Sequence, residues 1–327
     1  MNQSLAPPRI VHAFGGQGDL SLSAAWRAAD RLPGLRDSLA EVFTRIDPVA
    51  RELELPPLRT RLLGAEPPPA RWLAEQAPGA AQLALFGISL AVHRARLAEG
   101  AVPSLLLAVS FGEIPALTAA GSFSVPDGAR LAARLGVLLH TAPGGLTMLA
   151  AAPDKLAELL DHAPEIVVAC VNHPEETVVS APPGPLAAFE AAARSAGLSA
   201  TRLQLPFIAH HPALWRQADA FERFAAGLPH RPPALPVHSA VAGRAYHAAA
   251  ELPRGLADCL VRPALLPPLV RAAVRPGDLV VEMGTGQALA RAVLHIEPAA
   301  RALTPVGDAA RRPDPPVPAG RPHEEHG

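Results

Sequence analysis

Two rhythms of apolar and polar positions divide this chain. Short, continuous apolar runs at 10–14, 105–109 and 278–283 suit strands buried on both faces of a sheet. Between them, apolar residues three and four apart mark helices. The clearest runs through 82–97 (Leu83, Phe86, Leu90), and 19–60 reads as helical with prolines as punctuation. A helix over 113–120 closes at Gly121. Ser124-Val125-Pro126-Asp127 resembles a capping box with Asp in the acidic place and opens a further helix through Leu138.

From 146 to 205 the order changes to strand 146–151, helix 153–160, strand 165–171, strand 177–180, helix 185–196 and strand 200–205. This βαββαβ order is the ferredoxin-like split unit. Another helix, a strand at 236–241, a helical stretch and the late strand then follow. The expected architecture is an α/β domain of 1–145 and 206–304 interrupted by a ferredoxin-like insert at 146–205. Residues 305–327, rich in Pro, Gly, Arg and His, are expected to be a disordered tail.

The 327 residues suffice for a large core, and 49% of them are apolar. A net charge of −1 without a basic stripe argues against nucleic acid as the main partner. Cys170 and Cys259 lie far apart in apolar surroundings, which suits buried free thiols in a reducing cytoplasm. The opening MNQSLAPPRI lacks the pattern of a signal peptide, and no apolar stretch approaches a membrane span. A cytoplasmic, monomeric protein without a membrane segment is therefore expected.

The sharpest chemical signal is Ser110. A buried apolar run ends on this serine, Gly112 follows two positions later, and a helix starts at Glu113. Strand, sharp turn, serine and helix form the geometry of a nucleophile elbow. It lifts the hydroxyl to the lip of a parallel sheet and aims free N–H groups of the helix start at it. Ala108 stands where the elbow's usual first glycine would be, and Pro115 suits the first helical turn. The plainer alternative is an ordinary strand–helix junction that carries a serine. A second glycine-rich turn, Gly15-Gly16-Gln17-Gly18, ends the first strand. Two further motifs lead nowhere. Residues 280–286 resemble the first motif of methyltransferases that bind S-adenosylmethionine, but too little chain follows for that fold. His323-Glu324-Glu325-His326 has the wrong spacing for a zinc helix.

Six landmarks together resemble the malonyl-CoA:acyl-carrier-protein transacylase family, which includes polyketide synthase acyltransferase domains. Phe14-Gly15-Gly16-Gln17-Gly18 is similar to F-P-G-Q-G, and Gln82-Leu83-Ala84-Leu85 to Q-P-A-L. Ala108-Val109-Ser110-Phe111-Gly112-Glu113 is similar to G-H-S-L-G-E, and residues 168–174 to I-A-N-x-N-S-P. Pro236-Val237-His238-Ser239 resembles P-V-Y-S, and Glu282-Met283-Gly284-Thr285-Gly286 resembles E-V-G-P-G. The resemblance implies a hydrolase-like large domain with parallel sheet and a ferredoxin-like insert.

It also implies roles. Ser110 would be the nucleophile. Ile208-Ala209-His210-His211 falls where the family has H-A-F-H or Y-A-S-H, so the shared alanine assigns the base to His211 and leaves His210 lining the acyl pocket. A metal on the adjacent histidines is not expected, because no third ligand is apparent. The backbone N–H groups of Gln17 and Phe111 would form the oxyanion hole. Val109, Leu135, Ile208 and Asn172 would complete the pocket. Leu135 falls where members carrying dicarboxylic acyl groups keep an arginine, with Arg134 one residue away, about 100° around the helix. That departure implies a non-carboxylated acyl group, unless a one-residue slip lets Arg134 serve.

No cofactor is implied beyond acyl-CoA or a phosphopantetheinyl carrier as substrate, and the implied partner is an acyl carrier protein. The function expected is ping-pong acyl transfer between thioesters in polyketide or fatty-acid biosynthesis. The alternatives are an acyl-carrier hydrolase on the same scaffold, an ordinary malonyl transacylase, and a non-catalytic carrier-binding module.

Overall fold

A computed structural model describes residues 8–18, 20–55, 57–64, 72–73 and 77–311. The strands in chain order are β1 (Ile10–Phe14), β2 (Leu105–Ala108), β3 (Gly145–Leu149), β4 (Val167–His173), β5 (Glu176–Ala181), β6 (Ala200–Arg202), β7 (Val237–Ser239), β8 (Arg244–Ala245), β9 (Ala264–Leu265), β10 (Leu279–Glu282) and β11 (Arg301–Leu303). Six form one sheet in the order β11-β10-β1-β2-β7-β8. All its neighbours run parallel except the β7–β8 pair.

Successive side chains of β2 point to opposite faces of this sheet, as the pleat requires. Leu106 and Ala108 enter one core cluster, while Leu105 and Leu107 enter another. The first face is covered by α1 (Leu22–Ala29), α2 (Leu35–Glu52), α3 (Ala80–Ala98), α4 (Glu113–Ala119) and α5 (Val125–His140). Ser124 caps α5, its hydroxyl accepting from Asp127 N at 3.2 Å. The remaining helices used below are α6 (Pro183–Ser195), α7 (Trp215–Ala226), α8 (Leu252–Val261), α9 (Leu266–Ala273), α10 (Ala288–Ile296) and α11 (Pro305–Arg311). No helix among the described residues is long and apolar enough to cross a membrane.

The second sheet has the order β6-β3-β5-β4-β9. Its first four strands are antiparallel neighbours with α6 and a short helix (Ala157–Asp161) between them in sequence. That is the ferredoxin-like pattern, with a small core of Leu149, Leu156, Val179, Leu186 and Phe189. The chain is thus an α/β fold with a parallel sheet and a ferredoxin-like subdomain.

Among the details that differ from the sequence reading, three reshape the insert and the end of the chain. The first long strand after the insert's opening helix lies at Val167–His173, two residues later than expected, because Pro174-Glu175 make a tight hairpin that brings His173 opposite Glu176. The two-residue strand β9 went unseen because so short a run has no periodicity. It pairs in parallel with β4, Cys170 opposite Ala264, and joins the second sheet to the helices of the first. The expected disorder from 305 onward is also corrected. Residues 305–311 form α11, whose Pro305 suits a helix start and whose Val306 and Ala309 are buried. The rest of the expected tail, 312–327, lies outside the described residues.

Candidate active site

The serine turn follows from β2. Val109 N donates to the carbonyl of Phe14 at 3.0 Å, so the chain leaving β2 is clamped to the chain leaving β1. Ser110 then adopts φ +57°, a left-handed conformation that costs a non-glycine residue energy. Ser110–Gly112 forms a 3₁₀ turn that leads into α4. Gly112 is required here. A Cβ at this position would collide with the Phe14 carbonyl and lie 2.7 Å from that of Gly15.

Beneath the turn, Glu113 is fully buried. Tyr246 donates its hydroxyl to Glu113 Oε2 at 2.5 Å, and the Ser239 hydroxyl donates to Oε1. The same Ser239 oxygen accepts Ala242 N at 2.8 Å, which ties α4 to the end of β7. Burial pushes the Glu113 carboxyl up to about 7, against the pull of these donors.

The partner of Ser110 arrives on the segment that leaves the insert. Ile208 N donates to Ala142 O at 3.0 Å, Ala209 N to Ser180 Oγ at 3.1 Å, and His211 N to Leu260 O at 2.9 Å. Between these anchors His210 is turned inward at φ +53°. Its Nε2 lies 2.7 Å from Ser110 Oγ, and its Nδ1 lies 2.7 Å from the carbonyl of Arg262. The carbonyl can only accept, so Nδ1 carries the proton and Nε2 is left to accept from the serine. Burial lowers the pKa of the imidazole, opposed by the Arg262 carbonyl, which favours a neutral ring able to take a proton. Of the three non-glycine residues with positive φ among those described, two are Ser110 and His210.

Both face a cavity of about 220 Å³ between the two sheets. The turn Gly15–Gly18 forms one wall, with a Cβ on Gly16 reaching only to 4.0 Å from Ser110 Cβ. Gln17 is steadied by Gln82, whose amide donates to it at 2.8 Å. The opposite wall is one face of the insert's sheet, read as alternate residues: Leu146 and Met148 of β3, Cys170 and Asn172 of β4, Glu176 and Val178 of β5. Leu266, Glu282, Leu289 and Ala292 close the remaining side.

A serine held against a carbonyl-oriented histidine beside a glycine turn agrees with the sequence comparison, in which the model of the acyl transferase domain matches residues 75–282. The chain belongs to the acyl transferase domain family. A spectinabilin polyketide synthase system protein of Streptomyces orinoci is 32% identical over 72% of this chain and 11% of its own length. A polyketide synthase of Streptomyces halstedii is 30% identical over 84% of the chain and 5% of its own length. The chain therefore spans about a tenth or less of these two curated relatives. Among solved structures, a malonyl-CoA-acyl carrier protein transacylase from Xanthomonas oryzae pv. oryzae superposes with a TM-score of 0.80 at 25% identity, covering 91% of this chain and 94% of the other. One from Coxiella burnetii gives 0.81 at 20% identity, covering 93% and 96%, which shows the shared fold.

Against this acyl transferase geometry, the assignment of the base to His211 is corrected. His211 has an extended backbone at the start of a 3₁₀ turn, where Nδ1 accepts Ala213 N at 3.1 Å. Its Nε2 lies 3.2 Å from Glu165 O, away from Ser110. A left-handed turn at His210, one residue earlier, carries that imidazole inward instead. Two pocket assignments also change. Leu135 and Ile208 do not line the cavity; both are buried in the main core. Beside Leu135, Gly136 packs so tightly that a Cβ there would meet Gly79 and Gln82. Arg134 does not reach the cavity either, its guanidinium lying 5.9 Å from the centre of the Phe224 ring. Val109, His210 and Asn172 do line it, as do Gln17 and Ser110. Phe111 is buried in the turn after the serine.

Sequence reasoning missed Glu176, and while the resemblance implies a backbone carbonyl behind the base, it did not say that this carbonyl is that of Arg262. The first could have been found from strand alternation, since Glu176 is two residues before Val178 on one face of β5. The second is a backbone atom and leaves no mark in side-chain patterns.

Proposed function

We propose that this chain is a serine acyltransferase that moves a non-carboxylated acyl group between thioesters of CoA or acyl carrier protein, in polyketide or fatty-acid biosynthesis. The observation that carries this reading is the 2.7 Å contact between Ser110 Oγ and His210 Nε2, with Arg262 O behind the ring. His210 takes the serine proton as Ser110 attacks the thioester carbonyl. The N–H groups of Gln17 and Phe111 hold the developing oxyanion, and a donor of this kind is worth about 10²–10³ in rate. His210 then returns the proton to the departing thiol. An incoming thiol reverses the sequence and leaves with the acyl group. An acyl carrier protein is the acceptor on this reading. A solved malonyl-transacylase, in complex with its type II PKS acyl-carrier protein, superposes with a TM-score of 0.79 at 19% identity, covering 92% of this chain and 99% of the other.

The preference against a carboxylated acyl group rests on the cavity wall. Among the described residues no lysine or arginine lines it. A malonyl carboxylate would leave water for a wall that is largely apolar, carries the carboxyl groups of Glu176 and Glu282 and offers no lysine or arginine among the described residues, at a cost of several kcal/mol. A competition between malonyl and neutral acyl thioesters, read by intact mass at Ser110 and by transfer to a carrier, tests the reading. Neutral adducts and neutral transfer are expected. Faster malonyl transfer overturns the preference, and free-acid release without transfer overturns the transferase in favour of a hydrolase.

A further inference from the structure

The cavity wall is graded along the insert's sheet. Ser180, at one end of β5, accepts the N–H of Ala209 and so marks the row beside the base. Val178 comes next on the same face, level with Met148 of β3 and Cys170 of β4, and makes an apolar middle. Glu176, four residues from Ser180, lies about 13 Å farther along the strand. Its side chain is 26% exposed and lines the cavity.

Asn172 donates to Glu176 Oε1 at 2.7 Å, and His173 Nε2 lies 3.7 Å from Oε2. A carboxylate accepts about four hydrogen bonds, so these neighbours leave acceptor capacity facing the cavity. The other wall carboxylate, Glu282, is engaged differently. Its Oε2 accepts Ala290 N at 2.8 Å in the first turn of α10. Glu176 is thus the wall carboxylate with open acceptor positions toward the cavity, and among the described residues no lysine or arginine lines that cavity.

We infer that the acyl group this cavity takes carries a protonated amine, separated from the thioester by an apolar chain, and that Glu176 receives it. This rests on the acyl-transfer reading above and names its substrate class. The apolar rows accommodate the chain, and the ammonium donates to the acceptor positions of Glu176 that Asn172 and His173 leave open. The negative charge of Glu176 repels the terminal carboxylate of any ω-carboxyacyl chain long enough to reach it. The chemistry is otherwise unchanged, since Ser110 attacks the thioester carbonyl and the thiol leaves with the proton from His210.

The test uses pantetheine thioesters of ω-aminoacyl chains of increasing length, each paired with an alkyl chain of the same length and with an ω-carboxyacyl chain. The rate of Ser110 acylation by the whole protein is read by intact mass. The amino chain should outpace its alkyl partner at one favoured length. Glu176→Gln should reduce the ratio of amino to alkyl rates about tenfold or more, and a melting temperature near that of the unmodified protein shows that the variant is folded. Glu176→Lys should shift preference toward ω-carboxyacyl chains. Equal losses for amino and alkyl chains in Glu176→Gln overturn the proposal and assign Glu176 to the shared pantetheine arm. No amino preference at any length in the unmodified protein overturns it as well. Absence of any alkyl adduct overturns the acyl-transfer reading itself, a result distinct from the other two.

Discussion

The two walls of the cleft are built by different rules. The wall on the parallel sheet is made of backbone: two clamped loops, a serine and a nearby histidine in left-handed conformations, and a glycine where no Cβ fits. The wall on the insert is made of side chains that alternate along strands whose other face covers α6. Chemistry needs atoms held within tenths of an ångström, which strained, over-determined backbone supplies. Selection of an acyl group needs only shape and charge along a surface, which alternate strand positions can vary without disturbing the reacting atoms. Substitutions on the first wall should therefore abolish turnover, whereas those on the second should redistribute it among substrates.

The largest expected effect is on the first wall. Ser110→Ala should leave no acyl adduct with any thioester by intact mass, while its melting temperature stays nearly unchanged, because alanine keeps the Cβ and the same left-handed backbone. An adduct in this variant would mean that another residue is acylated. Gly112→Ala should come next. The new methyl group meets backbone rather than a flexible side chain, so a loss of about 3 kcal/mol or more in denaturant unfolding is expected, together with loss of acylation. Unchanged stability would show that the elbow is looser than its packing.

A smaller effect separates the core behind the first wall from the insert. His12 and His93 are buried with their Nδ1 atoms 2.8 Å apart. Burial, and after it the charge of neighbouring His93 and Arg96, takes His12 down to about 3; burial and then Arg94 take His93 down to about 4. Between about pH 4 and 6.5 the unfolded chain therefore binds more protons at this pair than the folded one. Stability is fully present above about 6.5 and lost as the pH falls, by up to about 1.4 kcal/mol per pH unit for each histidine. His93→Gln should flatten this acid limb in urea titrations at pH 7 and pH 5. An unchanged slope would mean that the pair is not what titrates.

The same division explains what the sequence disclosed. The elbow was legible because its parts, Leu105 to Glu113, are contiguous and each residue type has a local cause. The insert was legible because its strands and helices alternate in length and period. The base was read one residue late. His210 and His211 are alike in composition, and only the left-handed backbone at His210 decides which imidazole turns inward, a property fixed by anchors at Ala142, Ser180 and Leu260 that are remote in sequence. Leu135 was placed on the cavity by its sequence offset from Ser110, but α5 carries it into the main core, where the neighbouring Gly136 packs tightly on Gln82. Glu176 escaped notice because its meaning depends on which face of β5 meets the cleft.

The most direct test is the pre-steady-state rate of Ser110 acylation by one neutral acyl thioester in His210→Ala and His211→Ala. His210→Ala should slow acylation by about 10²–10⁴, the usual range for a positioned base. His211→Ala removes a turn cap that touches no reacting atom and should leave the rate within a few-fold, with a stability loss of about 1 kcal/mol. The reverse ranking would contradict the geometry on which this account of the active site depends.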